Sequence, residues 1–214
     1  MLFCNENDIP YQLAVGPEIP AAMAAVIGEL RASVRVPFGV NILWDAKSSI
    51  ALARATGASF VREVLTGVYE SDLGVIAPAL GDLAGYRTAI GADDVAFFDN
   101  ISPEFSSALG TRGIGDRARS AAFLGVDAIL LSGPAAGVSF TMSDLRTAKE
   151  AVPDLPVFAN TGVNAERLDE ILAVADGVIV GTSLKVNGDT WSRVDPVRAE
   201  RLMDAARAIR SKDS

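Results

Sequence analysis

Short runs of apolar residues alternate with longer segments of helical periodicity along almost the whole chain. Continuous apolar runs such as VAFF and AILL are typical of strands that are covered on both faces. The pattern predicts strands at Leu2–Asn5, Phe38–Leu43, Ser59–Val64, Asp94–Phe98, Asp127–Leu131, Pro156–Ala159 and Gly177–Val180. It predicts helices at Glu18–Ser33, Ala46–Thr56, Pro78–Ala89, Asp116–Leu124, Met142–Ala151, Ala165–Ala175 and Pro196–Ile209. This alternation indicates βα units and a parallel sheet.

A closed (β/α)₈ barrel has eight such units, whereas the pattern supplies seven and begins inside a strand. We therefore expect one α/β domain over residues 1–214, a TIM-type barrel that lacks the first βα unit in this chain. An open barrel would expose pairing edges on its first and last strands. We accordingly expect either an upstream extension that supplies a strand or a homo-oligomer that covers these edges.

Composition and charge exclude several classes of protein. The 19 basic and 27 acidic side chains give a net charge of −8, which argues against nucleic acid as the main partner. No run of about 18 uncharged apolar residues is present, so the sequence predicts no integral membrane segment. The N-terminus lacks a signal-peptide pattern, and the single Cys4 excludes an intrachain disulfide, so we expect a cytoplasmic protein.

The sequence contains no histidine. A histidine general base and the commonest zinc ligand sets are therefore unavailable within one chain. Acid–base chemistry would have to come from carboxylates, lysine, tyrosine, a substrate group or water. The sequence indicates no metal site and requires no cofactor.

Two consecutive predicted strands lead into glycine and hydroxyl residues, which suits a phosphate group. Gly162 and Asn164 follow one strand, and Gly181, Thr182 and Ser183 follow the next. Backbone amides clustered after strands 7 and 8 bind phosphate in many barrel enzymes, so we expect a phosphorylated small molecule here. The alternative is that the two glycines only satisfy turn geometry.

Four polar positions near strand ends are candidates for catalysis. Asn41 and Asp45 follow one strand, Asp99 ends another beside Asn100, and Asp72 lies on a long loop. A carboxylate at such a position could transfer a proton, and Asn41 could orient a hydroxyl. The alternatives are a helix cap for Asp45 and turn chemistry for Asp72 and Asp99.

Three further residues are candidates for the pocket, besides Asn100. An inward-pointing Arg62 would need a partner such as Asp99 or Asn41. Ser132 and Gly133 follow the strand AILL, where the backbone could approach a ligand closely. A nucleophilic role for Ser132 is not expected, because no histidine or nearby lysine could activate it.

Several segments closely resemble the BtpA/SgcQ family from about Asn5 to Met203. These segments are PFGVNILWDAKSSIALARATGASFVREVLTG, ESDLGVI, GVDAILLSG and ADGVIVGTSLKVNGDTWSRVDPVRAERLM. The resemblance implies a (β/α)₈ barrel with its active face at the carboxyl ends of the strands. It also implies kinship with proteins linked to photosystem I biogenesis and with others from carbohydrate-related gene neighbourhoods.

The chain departs from the family pattern at three places. Members usually carry an N-terminal strand and helix with a VHLxPLPG-like pattern, and this chain starts after it. Where members read GVNVLRND, this chain reads GVNILWDA, so Trp44 replaces an arginine while Asn41 stays. Where members read ADVxVKHA, the segment FDNISPEF at positions 98–105 lacks both the lysine and the histidine.

Two functions are compatible with these patterns. The first is a cytoplasmic enzyme acting on a phosphorylated sugar or nucleoside-like metabolite, by isomerisation, aldol (lyase-type) cleavage or glycosidic cleavage. The second is a non-catalytic assembly, biogenesis or regulatory protein that keeps the ligand pocket. The lost family side chains favour the second, and the intact phosphate-type loops favour the first.

Overall fold

The apolar runs form the strands of a parallel sheet, and the amphipathic segments form helices that cover it. The computed structural model describes residues 1–211. Within this range the strands are β1 (Leu2–Cys4), β2 (Gly39–Asn41), β3 (Phe60–Glu63), β4 (Tyr69–Ser71), β5 (Gly74–Ile76), β6 (Ala96–Asn100), β7 (Ser106–Ala108), β8 (Ala128–Leu131), β9 (Val157–Asn160) and β10 (Gly177–Ile179). The α-helices are α1 (Glu18–Leu30), α2 (Ala46–Thr56), α3 (Leu80–Ala89), α4 (Ile114–Phe123), α5 (Met142–Ala151), α6 (Leu168–Leu172) and α7 (Pro196–Arg210).

The seven strands predicted from the sequence form one sheet, and every pairing in it is parallel. Its order is β1-β2-β3-β6-β8-β9-β10. Each strand of this sheet pairs with the strand that follows it in the chain once β4, β5 and β7 are set aside. This is the order of a TIM-type barrel, so the predicted fold class is confirmed.

Alternation along the strands gives the sheet an outer face against the helices and an inner face on the opposite side. On the outer face, Val40, Val61 and Val157 are each 0% exposed, and they belong to the main hydrophobic core. Helix residues such as Ile50 and Leu145 complete this core at 0% exposure. The core therefore lies between the sheet and its helices, as expected when every strand is followed by a covering helix.

Three phenylalanines line the inner face of the sheet. The rings of Phe60 and Phe98 stack with centroids 4.5 Å apart, and Phe98 meets Phe158 at 5.3 Å. Gly39 and Gly177 on flanking strands make room for them, because a Cβ at either position would lie 2.2 Å and 2.4 Å from a phenylalanine ring atom. The glycines on the flanking strands therefore accommodate the large rings of the inner layer.

The sheet is curled so that distant strands approach one another. Phe98 on β6 contacts Phe158 on β9, although β8 lies between these strands in the sheet. At the two ends of the sheet, Lys185 after β10 donates to the carboxylate of Glu6 after β1 at 2.6 Å. The first and last strands are thus joined at their carboxyl ends by side chains, while the sheet itself runs from β1 to β10 without a hydrogen-bonded closure in the described range.

A small antiparallel sheet, of order β5-β4-β7, was not predicted from the sequence. It follows β3 and β6 and packs through a separate apolar cluster of Val64, Tyr69 and Ile76. The hydroxyl of Tyr69 donates to the carbonyl of Ile101 at 3.0 Å, which ties this sheet to the segment after β6. The small sheet thereby adds to the loops that surround the carboxyl ends of the parallel strands.

The predicted helices are confirmed in position, with local differences at their ends. Asp45, Thr141 and Asp195 accept hydrogen bonds from first-turn backbone amides of α2, α5 and α7, which fixes where these helices begin. The segment predicted as Ala165–Ala175 is an α-helix only over Leu168–Leu172. No helix in residues 1–211 combines the length and the hydropathy needed to cross a membrane.

Candidate functional site

The carboxyl ends of the parallel strands carry buried polar side chains on the inner face. Asn41, Arg62, Asn100, Ser132 and Asn160 lie at or next to the ends of β2, β3, β6, β8 and β9, and each is at most 9% exposed. Buried polar groups are destabilising unless they are hydrogen-bonded. Their convergence at the end where barrel enzymes place their active sites marks this position as the candidate site.

The side chain of Glu104, from the loop after β6, lies at the centre of these residues. Its carboxylate accepts hydrogen bonds from Arg62 Nη2 at 3.2 and 3.3 Å and from Asn160 Nδ2 at 3.2 Å. Asn100 Nδ2 lies 3.3 Å away, and the hydroxyl of Thr161 donates a short hydrogen bond. Arg62 and Glu104 side chains are only 11% and 14% exposed, so this ion pair is largely shielded from water.

Two further groups extend the network. The hydroxyl oxygen of Ser132 accepts from Asn100 at 2.9 Å and from Asn160 at 2.7 Å. Arg62 Nη1 donates to Asn41 Oδ1 at 3.1 Å. We call this set the mouth cluster, and it consists of Asn41, Arg62, Asn100, Glu104, Ser132, Asn160 and Thr161.

On the outer side of β3, burial controls the ionisation of the Glu63 carboxyl group. Glu63 is 2% exposed, and its Oε1 accepts from Asn41 Nδ2 and Ser49 Oγ, both at 2.6 Å. Burial raises the pKa of Glu63 to about 8, against the opposing effects of these two hydrogen bonds and of Arg62. The Glu63 carboxyl group therefore favours its neutral form near pH 7.

Of the two predicted partners of Arg62, Asn41 is confirmed and Asp99 is not. The carboxylate that pairs with Arg62 is Glu104. The Nε–H of Arg62 is buried and has no hydrogen-bond partner. The guanidinium group thus keeps one donor that the mouth cluster leaves unsatisfied.

Asp99 lies on the outer face of β6, away from the mouth cluster. Its carboxylate is 0% exposed and accepts from the amide of Leu65 at 2.7 Å and the hydroxyl of Thr66 at 2.6 Å. Burial raises the pKa of Asp99 to about 6, while these hydrogen bonds lower it. The structure therefore places Asp99 as a link between β6 and the segment after β3, and Asn100 as the residue that joins the mouth cluster.

The other two aspartates also lie outside the mouth cluster. Asp45 is the N-cap of α2, and its carboxylate accepts from the amides of Ser48 and Val15, both at 3.0 Å. Asp72 is exposed in the turn between β4 and β5. Of the four residues predicted for catalysis, the structure brings only Asn41 into the mouth cluster.

The predicted phosphate-binding residues lie in the loops after β9 and β10. Ser183 Oγ donates to the carbonyl of Val163 at 2.7 Å, so the two loops touch. The hydroxyls of Thr182 and Thr190 are 3.0 Å apart, and Asn164 accepts from the backbone amide of Arg167 at 3.0 Å. The side chains of Asn164, Thr182 and Ser183 are thus engaged in hydrogen bonds within the chain.

The two glycines of these loops differ in what surrounds them. Gly162 has a φ of 71°, and a Cβ there would lie 2.6 Å from the backbone of Ser139. Gly181 has a φ of −125°, and the nearest atom to a Cβ would be Glu6 Oε1 at 3.7 Å. Gly162 is therefore required by the loop itself, whereas an added Cβ at Gly181 would make only an ordinary van der Waals contact with Glu6.

A cavity of about 180 Å³ lies beside the mouth cluster and is lined by Ser132, Gly133 and Arg117, among others. At Gly133 a Cβ would lie 1.7 Å from the carbonyl oxygen of Val138, so the loop after β8 folds back on itself there. A second pocket of about 430 Å³ lies where β1 and β10 approach, next to Glu6 and Lys185. Among residues 1–211, no group of three or more His, Cys, Asp or Glu side chains is arranged to hold a metal ion.

Three residues of the mouth cluster, Glu104, Asn160 and Thr161, were not predicted as site residues from the sequence. Asn160 and Thr161 stand directly before Gly162 in the turn that was identified, so a signal for them was present. Glu104 lies in the loop segment FDNISPEF, where nothing in the pattern shows that its side chain returns to the strand ends.

Comparison with known proteins identifies the family. The sequence profile of the BtpA family matches residues 1–208. The putative sgc region protein SgcQ of Escherichia coli K12 is 43% identical over 98% of this chain and 79% of its own length. The photosystem I biogenesis protein BtpA of Synechocystis sp. PCC 6803 is 34% identical over 98% of this chain and 75% of its own length.

The fold recurs in solved structures of low sequence similarity. N-(5'-phosphoribosyl)anthranilate isomerase from Pyrococcus furiosus aligns with a TM-score of 0.56 at 16% identity, over 86% of this chain and 80% of that one. This likeness supports the TIM-barrel type of fold. Together with the match of the profile and the two relatives, it shows that the chain is a TIM-barrel-type protein that belongs to the BtpA family.

Proposed function

We propose that the protein is an enzyme that binds a phosphorylated sugar or nucleoside-like metabolite across the carboxyl ends of its parallel strands. The observation that carries this proposal is the mouth cluster, in which polar side chains from the ends of β3, β6 and β9 converge on one loop carboxylate. Such convergence of polar and ionisable groups at the carboxyl-end mouth is what barrel enzymes use to hold and convert a small ligand.

The phosphate group would lie on the loops 162–164 and 181–183. Their contact through Ser183 and Val163 brings both loops to one place, and an added Cβ at Gly181 would meet no atom closer than 3.7 Å. The phosphoribosyl compound after which the isomerase from Pyrococcus furiosus is named is of the proposed ligand class. Lys185 lies after the second loop, but it is bound to Glu6 and would have to leave that ion pair to contribute its charge.

Glu104 is the group that we assign to proton transfer. Isomerisation, aldol cleavage and glycosidic cleavage each require an acid or a base near the reacting atoms, and the sequence offers no histidine. Glu104 is the carboxylate held in the mouth cluster, and Arg62 beside it can stabilise a developing negative charge. Asn41, Asn100 and Asn160 would orient hydroxyl groups, whereas the predicted catalytic roles of Asp45, Asp72 and Asp99 have less geometric support.

A thermal-shift screen tests the ligand class. Phosphorylated sugars, nucleotides and inorganic phosphate are compared, and a ligand at about 100 times its Kd should stabilise the protein by about 2.7 kcal/mol. Gly181→Asp places a negative charge beside the proposed phosphate site and should abolish the shift. Gly181→Ala is the matched control, because its Cβ meets only an ordinary contact at 3.7 Å. A shift that survives Gly181→Asp would contradict the assigned phosphate position.

Turnover of the ligand found in the screen tests the assignment of Glu104. Glu104→Gln should lower kcat by at least about a hundredfold, the usual contribution of a general acid or base. Glu150→Gln, on the exposed face of α5, removes a carboxylate without touching the site and should leave turnover unchanged. If Asp99→Asn abolishes turnover in a stable protein while Glu104→Gln does not, Asp99 is the catalytic carboxylate.

A second candidate function is a non-catalytic role in assembly or biogenesis. It is favoured by the name of the Synechocystis relative and by the occupation of the mouth donors by Glu104 from the chain itself. A protein with this function should show no shift of its cooperative melting transition with any phosphorylated compound. Glu104→Gln should then leave the cellular phenotype intact.

We also propose a cytoplasmic homo-oligomer. The support is the open order of the sheet, which leaves β1 and β10 as edge strands. Light scattering coupled to size-exclusion chromatography measures the mass directly. A stable monomer in solution would overturn this part of the proposal.

A further inference from the structure

Glu104 fills the mouth cluster in the manner of a bound ligand. It does not belong to a strand, and its side chain enters from a loop to reach donors on β3, β6 and β9. Arg62, Asn100 and Asn160 occupy the ends of strands, where the sheet fixes their positions. The donors are therefore part of the sheet, whereas the acceptor is carried by a loop, and loops are in general more mobile than the strands that they connect.

The backbone on both sides of this contact is strained. Phe105, directly after Glu104, has a φ of 55°, and Thr161, which donates to Glu104, has a φ of 61°. Left-handed conformations are unfavourable for bulky and β-branched residues and cluster at ligand-binding sites and switches. Phe105 also leaves 49% of its surface exposed, so apolar burial at that position is incomplete.

Glu104 also leaves the arginine incompletely paired. Both of its oxygens contact Nη2 of Arg62, whereas Nε is buried and has no partner. A carboxylate in a side-on arrangement would contact one Nη and Nε together, which is the stronger bidentate geometry. The mouth cluster thus has the donors of a carboxylate-binding site, and Glu104 uses only some of these donors.

We propose that the mouth cluster is the binding site for a carboxylate group of the ligand and that Glu104 occupies this site until the ligand displaces it. The inference rests on the proposed function and narrows its ligand class to phosphorylated compounds that also carry a carboxylate. Arg62, Asn100 and Asn160 bind the incoming carboxylate through the hydrogen bonds that they now give to Glu104. The displaced Glu104 stays on the loop above the ligand, free of Arg62, where it can exchange a proton.

A matched pair of ligands tests the proposal. 3-Phosphoglycerate and glycerol 3-phosphate share a three-carbon phosphorylated backbone, and only the first has a carboxylate. Isothermal titration should show at least about tenfold tighter binding of 3-phosphoglycerate to the unaltered protein. Glu104→Gln removes the competing charge and should strengthen the binding of 3-phosphoglycerate at least about tenfold further. The binding of glycerol 3-phosphate should show no such gain. Equal affinities for the two ligands, or equal gains in the variant, would overturn the carboxylate site.

A second measurement is independent of any phosphate site. Glu104→Ala removes the carboxylate that now binds Arg62. Acetate should therefore bind in its place and raise the melting temperature of the variant in a saturable manner. Acetamide and sodium chloride at the same concentrations should not, and Glu150→Ala should show no acetate effect. If Glu104→Ala does not fold, the acetate titration is made on Glu104→Gln by NMR. Absence of acetate binding in the folded variant would overturn the carboxylate site. If acetate binds but no phosphorylated compound does, only the phosphate assignment is overturned.

Discussion

The guanidinium of Arg62 and the carboxylate of Glu104 meet at 3.2 Å, although 42 positions separate them in the sequence. One belongs to β3 and the other to the loop after β6, and both are more than four-fifths shielded from solvent. Removing one member of a buried ion pair leaves an uncompensated charge, which is more destabilising than removing both. The pair therefore couples the loop to the sheet energetically.

A double-mutant cycle measures this coupling. Arg62→Met and Glu104→Gln should each lower the free energy of unfolding by about 3 kcal/mol, because each leaves a buried partner unpaired. The double variant should lose clearly less than the sum of the two single losses. Urea unfolding of the four proteins gives the values. Additivity to within about 0.5 kcal/mol would show that the two side chains are not coupled.

The stability of the protein should depend on the ionisation of Glu63. Its pKa is raised from 4.5 to about 8 in the folded chain, chiefly by burial. The folded state therefore holds more protons than the unfolded state between these values, so this group lowers the free energy of unfolding as pH rises through that window. The loss can reach several kcal/mol at pH 9, since each pKa unit corresponds to about 1.4 kcal/mol.

Glu63→Gln removes this dependence. A glutamine carbonyl can keep the hydrogen bonds that Asn41 and Ser49 now give to Oε1. The variant should resemble the unaltered protein at pH 5 and exceed its stability at pH 9. Unfolding curves across this range make the comparison, with Glu150→Gln as a control for loss of an exposed carboxylate. A variant that is equally destabilised at both pH values would show that Glu63 acts only through its hydrogen bonds.

The sequence predicted the parallel sheet well because each of its strands is a short apolar run with a helical segment after it. It missed β4, β5 and β7, which have three residues each and pack through a satellite cluster away from the main core. β1, β2 and β10 are equally short, but they belong to longer apolar runs, whereas the segments YES and SSA of β4 and β7 are mostly polar and give no such signal. Their pairing depends on the loops that the main sheet positions, which local sequence does not encode.

The candidate site was predicted in part. The alternation of side chains along a strand explains much of the difference between the predicted and the observed site residues. Asp99 and Asn100 are adjacent, so they lie on opposite faces of β6, and the inward position of Phe98 assigns Asn100 to the mouth. Alternation alone shows that only one of these two residues faces the mouth, and the structure is needed to show that it is Asn100. The position of Glu104 could not be predicted, because its hydrogen bonds reach residues up to 57 positions away.

Two glycines should respond to alanine with opposite signs. Gly57 ends α2 with a φ of 72°, and Gly85 lies inside α3 without a positive φ, while neither has an atom within 4 Å of an added Cβ. Gly57→Ala should destabilise the protein by about 1 kcal/mol through left-handed strain. Gly85→Ala should stabilise it by up to about 1 kcal/mol through helix propensity. Thermal unfolding of both variants measures the two changes in stability. Changes of the same sign would contradict the backbone assignment at Gly57.

The ion pair of Glu6 with Lys185 should hold the first and last strands of the sheet together. The two side chains are 35% and 12% exposed, and their contact of 2.6 Å links the segments after β1 and β10. Lys185→Met should lower the free energy of unfolding by about 1 kcal/mol, the upper range for partly exposed pairs. Hydrogen exchange should also become faster in residues 2–6 and 182–190, because both segments lose a common restraint.

The matched control for this prediction is the pair of Asp204 and Arg207 within α7. Its contact is similar at 2.7 Å, but both side chains are about two-thirds exposed, and they join positions of one helix. Arg207→Met should therefore change stability by less than about 0.5 kcal/mol and leave exchange near β1 and β10 unaltered. If Lys185→Met behaves like Arg207→Met in both measurements, the approach of β1 to β10 depends on the curl of the sheet and not on this ion pair.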